Sequence, residues 1–141
     1  MRQTEKITLN FSNGYHGEVI APRGTLNIGT EENTFAPYNL LYGALGSCYY
    51  ATFLSMAKKM KLDIIEAKVV ISGEKKDDDI ATLAHVLVDV QIKSPSDEKK
   101  LIRSAELGAK YCSIYNTISQ IAEMELKIEI LRWFLWKLIM N

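Results

Sequence analysis

An excess of charge of either sign is the first thing this sequence lacks: 17 lysines and arginines balance 17 aspartates and glutamates over 141 residues. Nothing in that balance recruits nucleic acid or an anionic membrane surface, and a neutral, small or apolar ligand fits better. Histidine is scarce. His16 and His85 are the only two, they stand far apart, and neither pairs with a cysteine at metal-ligand spacing, so there is no zinc signature. A phosphate-cradling glycine loop is missing too, as is a Ser/His/Asp set with a recognisable nucleophile turn. The opening MRQTEKITLN has no basic segment followed by an apolar run, which a secretory signal needs, and the cytoplasm is the expected compartment. Cysteine is limited to Cys48 and Cys112, and cytosolic thiol buffers oppose a standing structural disulfide between them.

What is present suits a chain that buries a core. Apolar residues make up 48% and charged residues 24%, which argues against disorder, and the length fits a single domain. Ile7, Leu9 and Phe11 alternate with polar neighbours, and Asn13-Gly14 then supplies a turn, so a hairpin is expected there. Glu18 to Ile20 and Thr25 to Ile28 are the next strands, separated by the turn sequence Ala21-Pro22-Arg23-Gly24. After a polar loop from Gly29 to Thr34, Pro37 marks the start of the main helix, because a helix's first turn has no use for the missing N–H.

From Leu40 to Ala57 the chain runs 18 residues without a charge and is closed by Lys58, Lys59 and Lys61. A segment apolar nearly all round is either buried at the centre of a domain or spans a bilayer. Gly43, Gly46, Ser47, Thr52 and Ser55 lower its hydrophobicity, and the flanking strands need a core element to cover, which favours the buried helix. Val69 and Ile71, then Val86, Val88, Val90 and Ile92, mark two longer strands, with Asp77-Asp78-Asp79 as a solvated tip between them. Those aspartates lack the glycine and terminal glutamate of a calcium loop.

Ser94-Pro95-Ser96-Asp97-Glu98 offers a cap residue, a proline for the first helical position and first-turn acids, so a helix is expected to begin there. Leu101, Ile102, Ala105 and Ala109 form its apolar stripe, and Gly108 is expected to break or kink it before a second helical stretch with Cys112, Tyr115, Ile118 and Ala122. Leu126, Ile128 and Ile130 close the order as a last strand. Strands, long helix, strands, helices and a strand make an α+β arrangement rather than βαβ alternation.

The two cysteines fall in the two helical regions and can face one core. The plain reading is that both are small buried hydrophobes, a common fate for the residue. The chemical reading is a reactive pair. Ala36-Pro37-Tyr38-Asn39-Leu40-Leu41-Tyr42-Gly43-Ala44-Leu45-Gly46-Ser47-Cys48 resembles the central-helix motif of the OsmC/Ohr family (osmotically induced protein C and organic hydroperoxide resistance proteins). Lys110-Tyr111-Cys112-Ser113-Ile114 resembles that family's second cysteine segment. The separation of the two motifs and the order of elements from about residue 5 to residue 131 match as well.

The resemblance implies an intertwined homodimer with long central helices buried between antiparallel sheets, where Gly43 and Gly46 would let helix backbones approach. It implies a thiol peroxidase of oxidative stress defence, with Cys48 as the peroxidatic thiol, Cys112 resolving it, and an external dithiol as reductant. The substrate it implies is a small apolar organic hydroperoxide, and no metal, flavin or heme is called for. Residues 1–131 would be the family domain.

The chain also departs from the pattern. Hydroperoxide-reducing members carry a glutamate after the motif proline, paired with an arginine from the N-terminal strands, and other branches place the acid one residue later. Here those positions are Tyr38 and Asn39. Arg23 is the candidate arginine, with a solvated turn residue as the plain alternative. The proline that often follows the second cysteine is replaced by Ser113. These departures motivate a second reading, a homodimeric binding protein for a hydrophobic ligand whose peroxidase site has decayed. Tyr42, Tyr49, Tyr50, Phe53, Tyr111 and Tyr115 suit either a core or an apolar pocket. Residues 132–141 form an apolar C-terminal extension, too short to span a membrane and expected to dock on the dimer.

Overall fold

The alternation at Leu9 and Phe11 becomes β1 (Thr8–Phe11), which pairs antiparallel with β2 (Gly17–Ala21) and through it with β3 (Gly24–Ile28). The computed structural model describes residues 1–131; the apolar extension at 132–141 lies outside the described residues. The first hairpin turns where Asn13 and Gly14 take φ values of 52° and 81°. That left-handed conformation is open to glycine at no steric cost and tolerated by asparagine. Ser12 N–H donates to His16 O across the loop at 2.8 Å. The second hairpin is tighter, since Ala21 pairs with Gly24 and only Pro22 and Arg23 turn the chain. Leu9, Val19 and Leu26 stand side by side across the three strands. Both leucines are 44% exposed, so this row lies uncovered in the single chain.

Helix α1 runs Pro37–Lys59, with the proline in the first turn as its chemistry demands. Its start is fixed by Asn39, whose Oδ1 accepts the Ala36 N–H at 2.8 Å, half of a capping box. Its end is a Schellman turn. Lys61 takes φ 58°, Lys61 N–H donates to Lys58 O, and Leu62 N–H donates to Ala57 O at 2.9 Å. In the single chain, α1 is buried along one face. Leu45, Tyr49, Phe53 and Ala57 are fully buried, a single ridge spaced four residues apart, whereas Ala44, Ser47, Ala51 and Ser55 are exposed. The large side chains recur at one helical period, so the small residues are left to the opposite face. Gly46 lies against Ile71 and Val69 of the next strand, while a side chain at Gly43 would meet nothing within 4 Å among the described residues.

Strands β4 (Glu66–Lys75), β5 (Leu83–Lys93) and β6 (Glu123–Leu131) form a second sheet in that order. β4 and β5 pair antiparallel about the exposed Asp77–Asp79 tip, and β5 and β6 pair parallel. A parallel pair needs a crossover, and α2 (Glu98–Tyr111) with α3 (Ser113–Ser119) supplies it. Val86, Val88, Val90 and Ile92 are fully buried, and each such side chain contributes roughly 1.5–3 kcal/mol relative to exposure.

Two expectations about α2 need correction. Its N-cap is Asp97, which accepts the Lys100 N–H at 3.0 Å, so Pro95 precedes the helix and does not open it. Ser94 is taken up elsewhere: its hydroxyl donates to Asp63 O and accepts the Ser96 N–H, while Ser96 Oγ accepts the Asp63 N–H. Gly108, expected to break or kink the helix, sits inside it. A Cβ there would come within 2.9 Å of Phe53 Cα, so this glycine permits close approach of α1 and α2. The break comes at Cys112, whose ψ of 119° is extended.

Contacts divide the chain into two units, Met1–Leu41 with the first sheet, and the residues from Tyr42 on with most of α1, the second sheet, α2 and α3.

Candidate functional site

Cys48 precedes the buried Tyr49 on α1, so it sits at the flank of the ridge and is only half-buried. Cys112 occupies the break between α2 and α3, where its extended backbone makes it the N-cap of α3. Its side chain is fully buried, and its Sγ accepts the Tyr115 N–H at 3.4 Å. Asn116 secures the break by donating to the carbonyls of Lys110 at 2.9 Å and Cys112 at 2.8 Å. Gly108 brings this corner onto α1, and the two thiols are close enough for each to shift the other's pKa. Both are free.

The two sulfurs have opposite tendencies. For Cys48, burial opposes the thiolate. Hydrogen bonds from the Ile114 N–H, the Cys112 thiol, the Ser113 hydroxyl and the Ser113 N–H outweigh that cost and bring its pKa below the ordinary thiol value. For Cys112, burial pushes the pKa up. The Tyr115 N–H works against that rise, and the neighbouring Cys48 reinforces it through its hydrogen bond and its charge. The pair thus has one half-buried thiol whose pKa is lowered and one buried thiol whose pKa is raised. Burial also raises the Tyr49 hydroxyl well above its usual range, with the charges of Tyr115 and Cys112 adding to it, and this hydroxyl donates to Ala105 O at 3.0 Å. Tyr115 is raised by burial and by Cys112.

Sequence reasoning singled out both cysteines, and the structure brings them together. Arg23 occupies the exposed turn between β2 and β3, with no hydrogen bond or ion pair among the described residues. Asn39 spends its side-chain oxygen on the Ala36 N–H, and Tyr38 is half-buried in the same helical turn. Ser113 is what sequence reasoning undervalued. Noted only as a departure from a motif, it places its Oγ 3.8 Å from Cys48 Sγ. Its usable signal was a hydroxyl residue directly after a cysteine at a helix start. Among the described residues no group of three or more histidine, cysteine or acidic side chains could hold a metal. A groove of about 350 Å³ lies between α1 and β4, lined by Tyr42, Gly43, Gly46, Ser47, Val69 and Ile71; neither thiol is in its lining.

A family model described as OsmC-like protein matches residues 29–127, well over half of the chain. The chain belongs to the OsmC-like family. Among solved structures, an OsmC-like protein from Mycoplasma pneumoniae superposes with a TM-score of 0.84 at 17% identity, covering 93% of this chain and 99% of that one. A hypothetical protein from Aquifex aeolicus VF5 gives 0.83 at 17% identity, with 93% and 98% covered. The organic hydroperoxide resistance protein OhrB of Bacillus subtilis gives 0.69 at 17% identity, with 90% and 98% covered. At these identities the likeness is one of fold, and the α+β architecture of the OsmC/Ohr proteins is the architecture found here. No curated protein matches the chain in sequence. Among the described residues, no helix of this OsmC-like protein is long and apolar enough to cross a membrane.

Proposed function

We propose that this OsmC-like protein is a thiol peroxidase that reduces organic hydroperoxides, with Cys48 as the peroxidatic thiol and Cys112 as the resolving one. The observation that carries the reading is the asymmetric placement of two free thiols: Cys48 is half-buried with Ser113 Oγ 3.8 Å from its sulfur and its pKa lowered, while Cys112 is fully buried with its pKa raised. The Cys48 thiolate attacks the distal oxygen of ROOH, the O–O bond breaks, and the alkoxide leaves and takes a proton as ROH. Cys48 is then a sulfenic acid. The Cys112 sulfur attacks Cys48 Sγ, the S–O bond breaks, the oxygen leaves as water with the Cys112 proton, and a disulfide forms. An external dithiol reduces that bond by two exchanges, restoring both thiols and leaving as its own disulfide. Tyr49 and Tyr115 are uncharged near neutrality, as phenols ordinarily are, and burial raises both further, which suits a neutral substrate. Fed with an alkyl hydroperoxide and dithiothreitol, the wild type turns over. Cys48→Ser abolishes turnover, and equal turnover in that variant refutes the reading.

The assembly that fits is a homodimer. Its support is the apolar surface uncovered in one chain, Leu9 and Leu26 on the first sheet and the small-residue face of α1.

A second reading rests on Asn39. Its oxygen caps α1 instead of carrying a charge toward catalysis, which fits a binding protein that keeps the fold and takes a hydrophobic ligand. Under that reading the titrated pKa of Cys48 stands at or above the ordinary thiol value.

A further inference from the structure

One donor to Cys48 comes from a residue with no assigned role. We propose that Ser113 is a catalytic residue of the Cys48 site, its hydroxyl and its own backbone N–H acting as two separate donors that hold the Cys48 thiolate. The proposal rests on Cys48 being the reactive thiol. Geometry carries it: Ser113 Oγ lies 3.8 Å from Cys48 Sγ, within the longer reach of hydrogen bonds to sulfur. The two residues are 65 positions apart in sequence, so the contact is made by the fold and not by local chain geometry.

Position 113 is the first residue of α3. A first-turn N–H has no acceptor within its own helix, so the Ser113 N–H is available to an outside acceptor. It is among the groups that favour the thiolate. The serine hydroxyl is both donor and acceptor. It accepts from the Cys48 thiol when that group is protonated and donates to it once the proton leaves, so it serves both forms and favours the charged one. Ser113 is itself exposed, so its hydroxyl is open to solvent. The titratable groups about the pair are Cys112, Tyr49 and Tyr115. Burial raises all three, so near neutrality none carries a charge that would do the serine's work.

The same geometry supplies a clean test. Proline is favoured as the first residue of a helix, and the preceding residue must be extended. Cys112, at φ −74° and ψ 119°, already is. Ser113→Pro therefore folds with α3 intact and removes hydroxyl and N–H together. Ser113→Ala removes the hydroxyl alone, and Ser113→Thr keeps both donors.

In a Cys112→Ser background, so that a single thiol is read, the pH profile of iodoacetamide alkylation gives the Cys48 pKa without any peroxide. Losing one hydrogen bond to a charged group at a half-exposed site raises that pKa by about half to one unit in Ser113→Ala, and the thiolate fraction below it falls roughly 3- to 10-fold. Ser113→Pro shifts it further, and Ser113→Thr restores the wild-type profile. Profiles that coincide for wild type, Ser113→Ala and Ser113→Pro overturn the proposal. Serine-dependent profiles in a protein that consumes no hydroperoxide uphold Ser113 and count against the peroxidase reading instead.

Discussion

Gly108 lies directly against Phe53: a Cβ on Gly108 would stand 2.9 Å from Phe53 Cα and 3.1 Å from its backbone nitrogen. That contact sets how closely α2 approaches α1, and with it how closely the Cys112 corner approaches Cys48. Two effects compete in Gly108→Ala. Alanine gains about 1 kcal/mol of helix propensity, while overpacking typically costs 1–3 kcal/mol. The obstacle is backbone and cannot swing aside, so overpacking wins. A net loss of about 1 kcal/mol is expected in urea unfolding, together with slower formation of the Cys48–Cys112 disulfide.

Cys112 caps α3 and is the proposed resolving thiol, and substitution separates the two. As N-cap of α3 its sulfur accepts the Tyr115 N–H. Serine is a better cap than a thiol, so Cys112→Ser is expected to keep or slightly raise stability, whereas Cys112→Ala loses about 0.5–1 kcal/mol. Both remove the thiol proposed to resolve Cys48. After treatment with hydroperoxide, Cys112→Ser should hold a sulfenic acid on Cys48 that dimedone traps, detectable by intact mass.

The pH dependence follows from the directions of the two shifts. Cys48 is lowered, so its contribution to stability is present above the unfolded thiol pKa and is lost as pH falls through the folded one. Cys112 is raised, so its contribution is present below the unfolded value and is lost as pH rises through the folded one. The two oppose each other in the wild type. With Cys112→Ser only the first remains, and the urea midpoint of that variant should rise with pH through the window just below the ordinary thiol value.

Asn39 is a cap in this protein, and α1 has no acidic residue in its first turn. Asn39→Asp keeps the acceptor for the Ala36 N–H and adds a negative charge at the positive end of the helix. It should stabilise by about 0.3–1 kcal/mol, read as a raised thermal midpoint. Asn39→Leu loses the acceptor and should lower it.

Local signals were legible in the sequence, and contacts between elements were not. Asn13-Gly14 announced a turn because few residues accept its backbone angles, Pro37 announced a helix start, and Val86 to Ile92 announced a half-buried strand. The start of α2 was misplaced because Ser94 and Asp97 both have capping chemistry, and only the fold shows that Ser94 is engaged with Asp63. Gly108 looked like a break because glycine is a poor helix former; its packing against Phe53, on another helix, leaves no local trace. The parallel pairing of β5 with β6 was hidden for the same reason, since alternation identifies a strand but not its neighbour. Within the site, Cys48 and Cys112 were visible as chemistry. Ser113 was visible only as a residue, because its value comes from a contact 65 positions away.

If the two cysteines act as one redox unit on a hydroperoxide, a single equivalent of it consumes both thiols. This is tested most directly by counting free thiols and alcohol product after one equivalent of cumene hydroperoxide is added to the reduced protein. Both thiols are expected to disappear, one equivalent of cumyl alcohol to form, and a peptide map to show Cys48 joined to Cys112. Retention of both free thiols with the hydroperoxide unconsumed would contradict it.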